Sequence, residues 1–252
     1  MKKENTSWGG VANWYDELLS QEGTYQKDVI LPNLLRLLEV KKGEAILDLA
    51  CGTGFFANEI LKKGAKVVGA DIAKELVDIA KKKVPEGAEF FVSPADNLSF
   101  LAKESIDKAV IVLSIQNIEH MKGVWEECAR VLKPGGKLVV VMNHPAFRVP
   151  KQSSWGWDLE KNVQYRRVES YLSESKVGID MHPGERTASY TVSFHRPLQL
   201  YFKTLHKAGF MVGRLEEWNS NRKSEPGPRA QMEDRARKEI PLFLCLEAIK
   251  QN

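Results

Sequence analysis

Hydrophobic positions along the chain fall into two rhythms. Unbroken apolar runs of strand length occupy Ala45 to Leu49, Lys66 to Ala70, Glu89 to Ser93 and Lys108 to Leu113. They lack the in/out alternation of a half-exposed strand, as expected where a parallel sheet is covered on both faces. A helix is predicted from about Phe55 to Lys63, and from 43 to about 143 strand and helix alternate as in βαβ units, which predicts an α/β fold. Ahead of this section, Val29-Ile30-Leu31, Leu34-Leu35 and Leu37-Leu38 recur at helical spacing, so a helix packs there against the sheet. The rhythm stops at 144. It resumes with a helix at about Pro197 to Lys207, closed by Ala208-Gly209 as a C-cap, then strands Phe210 to Leu215 and Pro241 to Ala248 around a polar loop. Inside the interruption, Thr187 to Phe194 alternates well enough to predict a small extra β-element.

Composition adds that one domain suffices. A chain of 252 residues, 43% hydrophobic and 28% charged, can bury a single large core. The expected division is a helical cap at 1–42, a core at 43–143, a lid insertion at 144–196, and a C-terminal helix with a strand hairpin at 197–252. A formal net charge of +4 is too mild to argue for nucleic acid. Basic residues between Asn219 and Lys238 are mixed with acids, which reads as a solvated loop and short helix rather than an RNA contact. No apolar run approaches a membrane span, and MKKENTSWGG lacks a signal peptide's apolar core. Cys51, Cys128 and Cys245 stand apart without metal-ligand spacing, so no metal is expected and a reducing cytoplasm is the expected location.

The chemistry concentrates in AILDLACGTG, Ala45 to Gly54. A short strand breaks there into a glycine turn and opens a helix. Gly52 and Gly54, having no Cβ, let the backbone come close to a ligand. Gly52-Thr53-Gly54-Phe55-Phe56-Ala57 also fits the dinucleotide pattern, and Asp71, closing the second strand, suits ribose hydroxyls in either reading. Asp48 separates the two. A carboxylate inside the first loop can pair with an ammonium group, which S-adenosylmethionine carries and NAD lacks, and it would repel a pyrophosphate.

With these motifs the chain resembles the class I S-adenosylmethionine-dependent methyltransferases from about Asn13 to Ile249. Ala50 stands where the family usually has its first loop glycine. The resemblance implies a Rossmann-like three-layer α/β/α sandwich, with a seven-stranded mostly parallel sheet, an antiparallel last strand and a lid. It implies S-adenosylmethionine as cofactor and S-adenosylhomocysteine as product. Asp71, with Ile72 beside it, would hold the ribose, and Asp96-Asn97 would meet the adenine amino group. Ser114-Ile115-Gln116-Asn117 would line the reactive end, with Asn117 toward the substrate. Arg130 to Leu138, RVLKPGGKL, is similar to the family's helix-turn-strand signature before strand five. Tyr15 and Tyr25 would fold over the methionine part of the cofactor, where an aromatic face attracts a sulfonium; the alternative for each is packing of the first helix.

Specificity is expected in the lid, because ligands lie off the carboxyl ends of the strands in open α/β sheets. His144 follows strand five directly. Trp155 and Trp157 flank a glycine, and Tyr165, Tyr171 and Tyr190 follow. Such a stretch either stacks on a flat or apolar substrate or forms a local core beneath a long loop. His144, His195 and His120 are the candidates for acid–base work, and His144 and His195 also for substrate binding. Beside prolines, His144 and His195 are also readable as turn residues hydrogen-bonded to backbone, while the resemblance puts His120 near the reactive end. No N/D-P-P-Y/F run follows strand four, and no cysteine is placed as a nucleophile. The expected function is methyl transfer to O, N or C of a small molecule. An RNA or protein methyltransferase, an NAD(P)-dependent oxidoreductase and a non-catalytic cofactor-binding protein are the alternatives.

Overall fold

The apolar runs become strands of one sheet, and the glycine turns become its C-terminal edge. The computed structural model describes residues 8–181 and 190–252, with the Tyr15 side chain outside the described residues. Two cap helices come first, α1 (Ala12–Ser20) and α2 (Leu31–Leu38). A π-helical turn at Gln26–Ile30 leads straight into α2, whose Leu34, Leu37 and Leu38 are buried. The alternating section follows as β1 (Ala45–Leu49), α3 (Phe55–Leu61), β2 (Lys66–Asp71), α4 (Lys74–Lys83), β3 (Ala88–Val92), β4 (Ile106–Val112), α5 (Met121–Val131) and β5 (Leu132–Asn143). Glu75 in the first turn of α4 and Lys81, Lys82 and Lys83 in its last complement the helix dipole.

The insertion holds two hairpins, where a single small β-element was expected. They are β6 (Ser153–Asp158) with β7 (Val163–Val168), and β8 (Ser175–Asp180) with β9 (Tyr190–His195). Residues 187–189 of the predicted strand lie outside the described residues. The chain closes with α6 (Leu198–Lys207), β10 (Phe210–Trp218), α7 (Ala230–Glu239) and β11 (Phe243–Lys250). The sheet order is β10-β11-β5-β4-β1-β2-β3. Strands β1 to β5 pair in parallel, while β11 runs antiparallel to both neighbours and is the one reversed strand. The Lys133–Gly136 segment breaks the strand pairing, with Gly135 at a φ of 72°. It is drawn into β5, and the β4–β5 register jumps from Ile106↔Leu132 to Lys108↔Lys137 across it.

Two hydrophobic cores lie on opposite faces of this sheet. Along β5, Val139 and Val141 join the core of α2 and α3, while Leu138, Val140 and Met142 join that of α5 and α6. This is period-two alternation with both faces buried. Trp125 of α5 is fully buried and donates its indole N–H to Thr204 Oγ1 of α6 at 3.0 Å, which satisfies its polar atom in the core. Among the described residues no helix is long and apolar enough to cross a membrane.

Candidate active site

Strand β1 sits centrally, and its end is where the backbone turns hardest. Ala50, Gly52 and Gly54 all adopt positive φ, at 57°, 57° and 79°. A Cβ at position 54 would stand 2.8 Å from Val84 Cγ2, so this turn needs glycine for both conformation and space. Asp71 ties the turn to the end of β2. Its Oδ2 accepts from the Gly52 N–H and its Oδ1 from the Ala73 N–H, both at 2.9 Å. Burial still raises its pKa despite these donors.

Asp48 is 2% exposed, and its Oδ2 has no hydrogen-bond partner among the described residues. Desolvation, with Asp71 nearby and only the Ala57 N–H opposing, pushes its pKa up to about 7. Asp48 and Asp71 both line a cleft of about 740 Å3, together with Ala50, Gly52, Ile72, Ser114 and Asn117. Its other walls are apolar and include Trp8, Leu19, Phe55, Leu76 and Leu113. Sequence reasoning did not find these wall residues. They converge from α1, α3, α4 and the turn ahead of α1, and no local pattern marks that convergence.

Other expected residues stand elsewhere. The Tyr25 hydroxyl hydrogen-bonds Ser220 Oγ at 2.8 Å, and its ring packs edge-on against Phe243 and under the Arg222 guanidinium. Tyr25 therefore joins the cap to the C-terminal loop. Asp96 lies against Gly123 of α5, and Asn97 Oδ1 accepts from the Ser99 N–H at 3.3 Å; neither lines the cleft. Gly54 lines a shallower neighbouring depression. Tyr15 lies outside the described side chains.

Gln116 faces a second space. The Ile115–Asn117 turn is a common wall, with Ser114 and Asn117 on the cleft and Gln116 on a narrow crevice. Gln116 donates its Nε2 to the Leu113 carbonyl at 2.6 Å, and its Oε1 has no partner among the described residues. His195 lines this crevice with Asn143, Arg148, Arg196 and Tyr201. His195 Nε2 lies 2.7 Å from the Tyr171 carbonyl, which can only accept, so Nε2 carries the proton and Nδ1 is the basic nitrogen. His144 has both nitrogens committed. Its Nδ1 accepts from the Ala146 N–H at 3.2 Å, and its Nε2 donates to Glu217 at 2.7 Å. Burial lowers its pKa against that carboxylate. His120 borders a surface depression with Glu119, Lys122 and Glu174. Trp155 stacks beneath Arg166 and Trp157 beneath Arg229, so the β6–β7 hairpin docks toward α7; neither tryptophan lines the cleft or the crevice.

Comparison with known proteins agrees with this architecture. The family described as a methyltransferase domain matches residues 47–140, the span from β1 into β5. A demethylmenaquinone methyltransferase of Lactococcus lactis is 32% identical over 154 residues, covering 58% of this chain and 61% of its own. The biotin biosynthesis bifunctional protein BioHC of Cellvibrio japonicus is 36% identical over 110 residues, covering 44% of this chain and 22% of its own. The chain thus spans less than two thirds of these curated relatives. An S-adenosylmethionine-dependent methyltransferase structure from Mesorhizobium loti superposes with a TM-score of 0.70 at 22% identity, covering 90% of this chain and 100% of that one, which shows the shared fold. Residues 47–140 thus match the methyltransferase domain family, and the chain as a whole shares the fold of solved S-adenosylmethionine-dependent methyltransferases.

Proposed function

We propose that the chain transfers a methyl group from S-adenosylmethionine to O, N or C of a small-molecule acceptor by in-line displacement. The observation that carries this is the unpartnered, buried Oδ2 of Asp48 at the cleft. An ammonium group there offsets the cost of a desolvated carboxylate, and the methionine end of the cofactor brings one. Each Asp71 oxygen holds one backbone donor and keeps a second lone pair, which suits vicinal ribose hydroxyls. The apolar walls suit the flat base. The donor set therefore fits the cofactor, whose sulfonium when bound supplies a methyl group already activated for transfer.

The chain's own residues then hold, align and exclude water. Gln116 Oε1 is placed to accept from an O–H or N–H of the acceptor. His195 Nδ1 is the proton acceptor we assign, because its Nε2 proton is held by Tyr171. The zone 144–196 serves as the acceptor lid of a single domain spanning 1–252. Three free, buried cysteines suit a reducing cytoplasm. The RNA reading loses support where the basic loop is spent internally, Arg222 on Tyr25, Arg229 on Trp157 and Arg237 on Asp234. The test is calorimetric titration with S-adenosylhomocysteine and, separately, NADH, followed by methyl release from labelled cofactor against a metabolite panel. Binding of the first compound alone is expected, and binding of NADH alone overturns the reading. His195→Ala should slow turnover by about 10²–10⁴-fold without weakening S-adenosylhomocysteine binding.

A further inference from the structure

The Ile115–Asn117 turn is flanked by two guanidinium groups that form no ion pair among the described residues. Arg196, 5% exposed, donates to the Ile115, Ile118 and Glu119 carbonyls at 3.3, 2.7 and 2.8 Å. Those partners are neutral carbonyls, and its guanidinium also lies 5.0 Å from the Phe194 ring centroid. Arg148 lines the same crevice from the segment that follows β5. Its guanidinium makes no hydrogen bond, ion pair or ring contact among the described residues. A third cation stands close by. Arg166 donates from Nε to the Phe147 carbonyl and from Nη2 to Ser153 Oγ, both at 2.7 Å, so it is committed to the lid. Among the described residues no aspartate or glutamate lines the crevice.

Protein crowds Arg148 enough for desolvation to push its pKa down, and Arg148 in turn helps lower that of Arg166. Arg148 is nevertheless exposed and lines the crevice, so an incoming group can reach it. An exposed guanidinium with no ion-pair partner among the described residues has its donors free for an arriving anion. A planar guanidinium, moreover, matches the paired oxygens of a carboxylate or phosphate.

We propose that the methyl acceptor carries a carboxylate or phosphate group and that Arg148 binds it in the crevice beside Gln116 and His195. This rests on the methyltransferase reading above. The test uses protein saturated with S-adenosylhomocysteine and titrated calorimetrically with benzoate, inorganic phosphate and benzamide. Saturable binding of at least one anion and none of benzamide is expected, and which anion binds separates the two chemistries. Arg148→Gln should weaken that binding at least about tenfold, the scale of one charge-assisted contact, and Arg148→Lys should restore part of it. S-adenosylhomocysteine should bind both variants as it binds the parent, which also reports that they are folded. Failure of the parent protein to bind S-adenosylhomocysteine overturns the methyltransferase reading itself. If the parent binds it, but the anions bind no better than benzamide or equally well to Arg148→Gln, the Arg148 assignment alone falls.

Discussion

Burial pushes the Asp48 carboxyl up to about pKa 7, so in the proposed reading its ionisation state governs cofactor affinity. Its unfolded value is about 3.9, so the folded chain keeps a proton that the unfolded chain has released between these limits. The stability this group lends is present below about pH 4 and is lost as pH rises through about 7. Thermal melts of the ligand-free protein should therefore show a decline between about pH 4 and 7 that Asp48→Asn abolishes. Ligand binding should run the other way. An ammonium needs the ionised acid, so affinity for S-adenosylhomocysteine should climb from pH 6 to 8, and Asp48→Asn should lose roughly 1.5–3 kcal/mol together with that climb. Unchanged calorimetric affinity in Asp48→Asn would contradict the assignment. Asp48 was legible as a candidate because its spacing from Gly52 and Gly54 is local. The tautomers of His144 and His195 were not, because Glu217 and the Tyr171 carbonyl lie far along the chain.

At the scale of elements, the β1–α3 turn and the lid hairpin present opposite cases. The turn is a local device. Gly54→Ala forces a side chain into positive φ and against Val84, so a loss of about 1–3 kcal/mol in denaturant unfolding is expected, with weakened cofactor binding. The hairpin depends on distant partners. Gly156 lies opposite Tyr165, whose ring sits 2.5 Å from where a Cβ would stand, so this glycine serves a cross-strand stack. Trp155 and Trp157 share one face of β6, two residues apart, and meet Arg166 and Arg229. The sequence showed aromatics around a glycine but not the arginines that cover them. A double-mutant cycle on Trp157→Ala and Arg229→Ala should give a coupling of about 0.5–1 kcal/mol. Strict additivity would mean that the hairpin does not dock through this pair.

Across the whole molecule, the sheet order brings Asp48, Asp71 and Ser114 to one edge from three neighbouring strands, β1, β2 and β4. Packing on the α5–α6 face holds that edge in register. Trp125→Ala removes a fully buried indole and leaves Thr204 without its donor, so a loss of about 3–5 kcal/mol is expected in chemical denaturation. A loss under about 1 kcal/mol would show that this core collapses around the gap. The strand and helix rhythm, the glycine turn and the acidic pair were determined by sequence alone, since propensity, backbone sterics and motif spacing act over a few neighbouring residues. Tertiary structure decided the rest: the apolar walls of the cleft, the splitting of the insertion into two hairpins, the commitment of Tyr25 to the C-terminal loop, and an Arg148 guanidinium without an ion-pair partner among the described residues. Each of these depends on which distant side chains come to share one space, and that choice is made by burial and pairing across the folded chain.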